Sequence, residues 1–540
     1  MKASKHIVAL LACMLSFTAG YAVKIRPQKG SSLSAYALSS DRDNPAVWSQ
    51  TLSMTKGAAP GEYATYDVPR TGTRHYLVAL VDFYDCQFYI KERSKLLERY
   101  DQIFNCPEYT TMPVYAHDEY YYASTGCVSS YFRDQSFGQF NPVFDIVGPV
   151  RMSRSYAYYG QGTYNNNVSL MVKEICDSLA KDTAVHLDDY VRNGNIENLV
   201  VIFAGRGENY DNADVNTIWP QSDRVSYYRN SINQVSFACS CELFWDSDTI
   251  IDGIGIICHE FSHTLGLPDY YNNRSSYSRT TDITMGNWSL MDFGNYNNGG
   301  FTPAGYTAFE KYSLGWMDLE DITGSGNYAL HSITRKPDPD KGVSTAYRLS
   351  TTNDNKFIIL ENHPNSGWYR FCSASGLMIT AVYYDYSTWQ NKAVSHSATK
   401  NYYIIPADND FDIVTTGGDL YPYMDIDSAT VNSTPQLAIG TTRPPYSIYG
   451  ITRNDSLVTF YAGKTAPTHV TEPSKLEIAI SIADGELTVT APVGSKVTVH
   501  DLAGNPVLET WTTKNVQQIE LPGSGIWIVR CGNITRKVRL

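Results

Sequence analysis

The sequence predicts a multidomain chain: an α/β domain, an appended β-rich lobe and a small C-terminal β-sandwich. Three observations carry this. The 540 residues are too many for one compact core, and a hydrophobic content of 43% is enough to fill several. Two apolar runs, His75–Phe83 ("HYLVALVDF") and Asn198–Asn209 ("NLVVIFAGRGEN"), read as buried strands, the second stopped by Gly205 and Gly207, with helical spacing between them over Ile90–Phe104. From about Tyr328 the texture changes to short alternating runs broken by Gly, Pro and Asp, as in "KFIILENH" and "GLMITAVYYD".

Taken in order, residues 1–22 read as an export signal, with Lys2 and Lys5 ahead of an apolar run from Ile7 to about Thr18 and small residues at Gly20 and Ala22 for cleavage. That run is too short to span a membrane, and no later segment is apolar enough to do so. Cys13 in "LLAC" is poorly placed for lipid attachment, since apolar residues continue beyond it. Residues 23–70 are polar and rich in Ser, Ala and Gly, and read as a leader or pro-segment. The catalytic core is expected over 71–327, the β-rich lobe over 328–464 and a Pro/Thr linker over 465–475. Residues 476–540 open with strict alternation at Leu476, Ile478, Ile480 and Ile482, an Asp484-Gly485 turn, then Leu487 and Val489, the pattern of a small sandwich.

Charge narrows the function. The 55 acidic against 43 basic residues give a net −12, with no Lys/Arg run that would track a phosphate backbone, so nucleic acid is excluded as a partner. The 41 tyrosines, clustered as in "DEYYYAS" (Asp118–Ser124), fit half-wet sheet and loop faces better than a dedicated carbohydrate platform. Nine cysteines remain once Cys13 is removed, so at least one thiol is unpaired, and some disulfides are expected in an exported chain. Cys258 reads as a buried small hydrophobe.

The chemistry is concentrated in "IICHEFSHTLGLPDYY" (Ile256–Tyr271). On a helix, His259 and His263 lie one turn apart on one face, so both imidazoles can reach a single tetrahedral metal. Glu260 projects beside them, placed to take a proton from water without being a ligand. Gly266 sits where a helix ends in positive φ, Pro268 prevents resumption, and the chain can return so that Asp269 offers a carboxylate oxygen. The next histidine is His331, so no nearby imidazole competes for the third position. Two nitrogens and one oxygen leave a fourth position open, the arrangement of a catalytic zinc.

Downstream, "MGNWSLMDFGNY" (Met285–Tyr296) resembles the methionine-containing turn beneath the metal in metzincin peptidases, with Met291 as its methionine. With "TPAGYTAFEKYSLGW", "SSYFRDQSFGQF", "VIFAGRGEN" and "TIWPQ", the chain from roughly Thr71 to Lys464 resembles the immune-inhibitor-A family of secreted bacterial zinc peptidases. The resemblance implies a zincin-like α/β catalytic domain, His259, His263 and Asp269 as zinc ligands and Glu260 as the catalytic residue. It departs from the pattern at "DDYVRNGNIEN", where Arg192, Asn193 and Asn195 stand in a loop that often looks calcium-binding, and at Phe293, where relatives place an oxyanion-stabilising tyrosine. Tyr296 is a candidate substitute donor. Asp408, Asp410 and Asp412 offer hard oxygens that would suit calcium. The last 70 or so residues, with "VTVHDLAGNPVLE", "IELPGSGIWIVRCG" and "RKVRL", resemble the type A sorting domain read by the type IX secretion machinery of Bacteroidetes.

These readings converge on a secreted or surface-attached zinc endopeptidase acting on extracellular proteins. The other class to keep is an exported adhesion or glycan-binding protein with a degenerate peptidase domain; the intact set His259, Glu260, His263 and Asp269 argues against it.

Overall fold

The computed structural model describes residues 70–539 other than 117, 162–166, 211–215, 230–231, 273–281, 398, 413–416, 455–456, 468–477, 484–485, 492–493, 513–515, 522 and 533. The export signal, the pro-segment up to residue 69, most of the linker and the Asp484-Gly485 turn lie outside them.

The first domain is built on a sheet of β1 (Gly72–Asp82), β2 (Phe140–Arg151), β3 (Asn195–Arg206), β4 (Gln221–Arg229) and β5 (Ile232–Leu243), in the order β2-β1-β3-β5-β4. Its first four members are parallel and β4 runs antiparallel at the edge. A parallel interior needs cover on both faces, which is why β1 and β3 read as unbroken apolar runs. Alternate residues of β1 divide between two cores: Tyr76, Val78 and Leu80 face one, Leu77, Ala79 and Val81 the other.

The first core is closed by α1 (Arg93–Asn105) and α2 (Val128–Gln135), the second by α3 (Val168–Leu179), whose Met171, Val172, Ile175 and Cys176 are buried. The ends of the predicted elements moved by a few residues: the first strand begins at Gly72, and the first helix starts at Arg93. In the departing loop, Asn193 and Gly194 take φ of 50° and 76° between Val191–Arg192 and Asn195–Ile196, so these residues form a two-residue hairpin turn.

α4 (Gly255–Thr264) carries the two histidines and packs into the first core through Phe261, whose ring lies 5.1 Å from Tyr76 and 4.9 Å from Phe132. After it come α5 (Ala308–Ser313) and a five-stranded sheet of Glu320–Asp321, Ala346–Ser350, Lys356–His363, Gly376–Tyr383 and Tyr402–Ile404. This sheet recruits Glu320–Asp321, ahead of the expected change at 327/328. One of its faces (Phe357, Ile359, Met378, Tyr402) completes the core beneath α4, while the other (Ile358, Leu360, Ile379) packs against a three-stranded sheet of Gly326–His331, Ser447–Asn454 and Leu457–Gly463.

Residues 479–539 form a three-stranded and a four-stranded sheet that share one small core around Leu487, Val489, Val497, Val499 and Val529. Among the described residues no helix is long and apolar enough to cross a membrane. All nine described cysteines are free thiols, which corrects the expectation of disulfides; most are buried in separate cores as small apolar groups, Cys258 among them.

Candidate metal centre

The start of α4 can reach its place only because two residues lack side chains. A Cβ on Gly255 would stand 1.9 Å from the Asn295 carbonyl oxygen, and one on Gly253 2.2 Å from the backbone of Gly300. The helix therefore abuts the Met291 segment backbone to backbone. Its other end closes by a Schellman arrangement: Gly266 takes φ of 108°, its N–H donates to the His263 carbonyl (3.0 Å), and the Leu267 N–H donates to Ser262 (3.2 Å).

This reversal returns the chain beneath its own histidines. His259 Nε2 lies 3.1 Å and His263 Nε2 3.2 Å from the same oxygen, Asp269 Oδ1. His259, His263 and Asp269 are the one group of potential metal ligands brought together among the described residues, their ligand atoms all within 4.8 Å of one another.

The other ring nitrogens decide what those atoms can do. His259 Nδ1 stands 2.8 Å from the Leu290 carbonyl and His263 Nδ1 2.8 Å from the Leu267 carbonyl. A carbonyl only accepts, so in the neutral rings the proton sits on Nδ1 and both Nε2 atoms present lone pairs. Asp269 Oδ1, buried and without a hydrogen bond, presents another. Three lone pairs aimed at one point repel unless a cation stands there, and carbonyl partners of this kind orient metal-bound imidazoles. The residues therefore fit a divalent ion. Without an ion the same atoms draw protons: burial opposes a charged His259, but Asp269 and Glu260 outweigh it and push the ring up to about 9, and the two imidazoles hold Asp269 far below the usual carboxylate range, so binding a metal ion here displaces that proton.

The Met291 segment is locked from several sides. Ser289 donates to Glu310 of α5 (2.6 Å) and accepts from the Met291 N–H (3.0 Å). Asp292 gathers the Thr284 hydroxyl and the N–H groups of Met285, Gly286 and Phe293 at 2.7–2.9 Å, and its burial pushes its carboxyl up to about 6. The Met291 carbonyl accepts the Tyr270 N–H at 2.9 Å, tying the turn to the residue after Asp269.

Glu260 is buried on the same helix, within electrostatic range of Tyr296 and Cys239. Tyr296 is half-buried against the edge of the Tyr210 ring (6.3 Å), where burial raises its hydroxyl above the ordinary phenol range. Phe293 lies 6.3 Å from the Tyr271 ring.

Asp408, Asp410 and Asp412 are not brought together as ligands. Asp408 accepts the Asp410 N–H and Asp410 the Asp412 N–H, each at 3.0 Å, so two of these carboxylates take part in folding the loop. Reading side chains missed Leu267 and Leu290, which act through carbonyls and leave no trace in residue type.

An α/β domain with an antiparallel edge strand, a two-histidine, one-aspartate cluster and an adjacent glutamate is an arrangement that suits a metallohydrolase. Residues 64–321 match the family model described as the immune inhibitor A peptidase M6 catalytic domain. The chain is also similar to the pre-pro-metalloprotease PrtV of two Vibrio cholerae serotype O1 strains, M66-2 and ATCC 39315, each 24% identical over 318 residues, 51% of this chain and 34% of theirs. The alignment thus spans about a third of the length of these curated relatives. Together these likenesses support a metallopeptidase.

Proposed function

We propose that this chain is a zinc-dependent endopeptidase that hydrolyses extracellular proteins, with Glu260 as general base. The observation that carries the reading is the convergence of three lone pairs from His259, His263 and Asp269 on one point beside a buried glutamate. These residues would hold the ion, and two imidazoles with one carboxylate suit Zn2+. A bound Zn2+ supplies Lewis-acid polarisation of the scissile carbonyl and acidifies water near neutral pH. Glu260 takes the proton of the attacking water and delivers it to the departing amine. Leu267 and Leu290 keep both rings in the tautomer that exposes Nε2. Tyr296 is the candidate donor to the developing oxyanion. Strand β4 packs beside α4 at the edge of the sheet, the position at which an extended polypeptide adds as a further strand.

The same proposal assigns residues 1–70 to an export signal and pro-segment, a reading supported by the relatives being pre-pro-proteins. It assigns 476–540 to a β-sandwich sorting domain for type IX secretion, so that the enzyme works outside the cell or on its surface. The test is zinc content and casein cleavage of the purified protein, with and without chelator. The wild-type chain should hold one zinc and lose cleavage on chelation. Glu260→Ala should keep the zinc and lose about 10²–10⁴-fold in turnover, the usual range for general acid–base work. Near-wild-type cleavage by Glu260→Ala would overturn the assignment.

A further inference from the structure

The matched peptidase segment ends at residue 321, yet part of what holds the metal centre comes from beyond it. Lys392 Nζ donates to the His263 carbonyl at 2.8 Å. That carbonyl belongs to the last turn of α4, where the partial negative charge of the helix accumulates and a cation is stabilising. It also accepts the Gly266 N–H that begins the reversal toward Asp269.

Lys392 is itself built into position. It follows α6 (Tyr386–Gln390), a single turn N-capped by Asp385, whose carboxylate accepts the Thr388 N–H at 2.8 Å. The turn closes with the Lys392 N–H on Trp389 (3.1 Å) and the Ala393 N–H on Thr388 (2.8 Å). Lys392 occupies the left-handed position at φ of 52°, where glycine is the ordinary choice.

The same turn also supports the third ligand. Tyr270, next to Asp269, is buried with its ring 5.8 Å from Trp389 and 5.0 Å from Tyr402, both outside the matched segment. Its N–H is fixed to Met291.

We infer that Lys392, aided by Trp389 and Tyr402, is a positioning residue of the metal centre, holding the last turn of α4 and the Asp269 backbone from the β lobe. The inference rests on the metal-binding reading above. It implies that the unit competent to hold the ion extends through the lobe and is not confined to the matched domain.

Lys392 acts in two opposed ways, which makes the test sharp. As a nearby charge it repels the ion, so its loss by charge alone tightens Zn2+ binding. As a tether its loss loosens two ligands and weakens binding. The inference requires weakening. In the full chain, Zn2+ affinity is measured by competition with a chromophoric chelator, and site geometry by the visible absorption of the Co2+-loaded protein. Lys392→Met should bind Zn2+ about tenfold more weakly, the lower end of what loss of an outer-shell partner costs, and shift the Co2+ bands. Lys392→Arg, which keeps a donor and a charge, should restore most of both. Unchanged or tighter Zn2+ binding with an unaltered Co2+ spectrum in Lys392→Met would overturn this inference and leave the metal centre standing. A wild-type chain that takes up no zinc would overturn both.

Discussion

Asp269 is the residue on which the reading of the centre turns. Its Oδ1 lies equally close to two imidazole nitrogens and receives no hydrogen bond, a costly state for a buried carboxylate unless a cation is shared. Asp269→Asn keeps the shape but replaces an anionic oxygen with a weak neutral one. Zinc affinity should fall by more than about a hundredfold, beyond the range typical of outer-shell losses. Stoichiometric zinc surviving overnight dialysis of this variant against a weak chelator would remove Asp269 from the coordination sphere. This part of the site was legible in residue order because helical geometry pairs His259 with His263, and Gly266 and Pro268 mark the reversal that brings Asp269 back. The alternating aspartates at 408, 410 and 412 have a spacing that also serves Asx turns, and here the Asp408 and Asp410 carboxylates each accept a backbone N–H two residues on. Lys392 carried no signal, since its meeting with His263 spans 129 residues and depends wholly on how the lobe packs.

At the scale of elements, α5 explains why "TAFEKYS" accompanies the His259–Glu260–His263 pattern. Thr307 and Glu310 form a capping box, and Glu310 reaches on to Ser289, so a six-residue helix braces the Met291 turn. The next residue, Lys311, is buried with its Nζ on the Ile333 carbonyl (3.2 Å) and 4.5 Å above the Phe137 ring. Burial pushes its ammonium down to about 7, against the opposing pull of Glu361, Glu310 and Asp134. The unfolded chain, with an ordinary lysine near 10.4, binds that proton between about pH 7 and pH 10 while the folded chain releases it. Stability from this group is therefore complete above the unfolded value and is lost as pH falls toward 7. Between pH 7 and 9 it amounts to about 2 kcal/mol. Buried thiols tilt stability the other way over the same range, so the informative quantity is the difference between variant and parent. Lys311→Met should gain on the parent by about that amount at pH 7 relative to pH 9 in denaturant titrations; a constant difference across the range would show that Lys311 titrates normally in the fold. The strands were legible as apolar runs, but the face each residue would serve was not, because both faces of β1 are buried.

At the scale of the molecule, the five-stranded sheet of the lobe belongs to two cores at once, one beneath α4 and one shared with the three-stranded sheet. Cutting the chain after the matched segment would strip Phe357, Ile359, Met378 and Tyr402 from the core under the metal centre and remove the acceptor that Asp419 provides for the Trp288 indole N–H at 2.8 Å. The change of texture near Tyr328 was visible in residue order; that it marks a shared core and no separable module was not, since alternation reports that a face is buried and not what covers it.

The C-terminal unit stands on different terms. Its apolar core is its own, and its contacts with the lobe include Trp511, whose ring lies 5.7 Å from His331 and beneath the Arg335 guanidinium at 5.6 Å. Removing it uncovers His331 and Arg335 but takes nothing from the cores that hold α4. Deleting Thr471–Leu540 should therefore leave an enzyme that folds, binds zinc and cleaves casein at close to the parental rate. If these residues are a sorting domain, the truncated enzyme should accumulate in the periplasm while the full chain reaches the medium or the cell surface. Fractionation followed by a caseinolytic assay separates the two claims. Activity lost from every fraction would mean that the unit supports the fold of the peptidase; activity reaching the medium undiminished would mean that the address lies elsewhere in the chain.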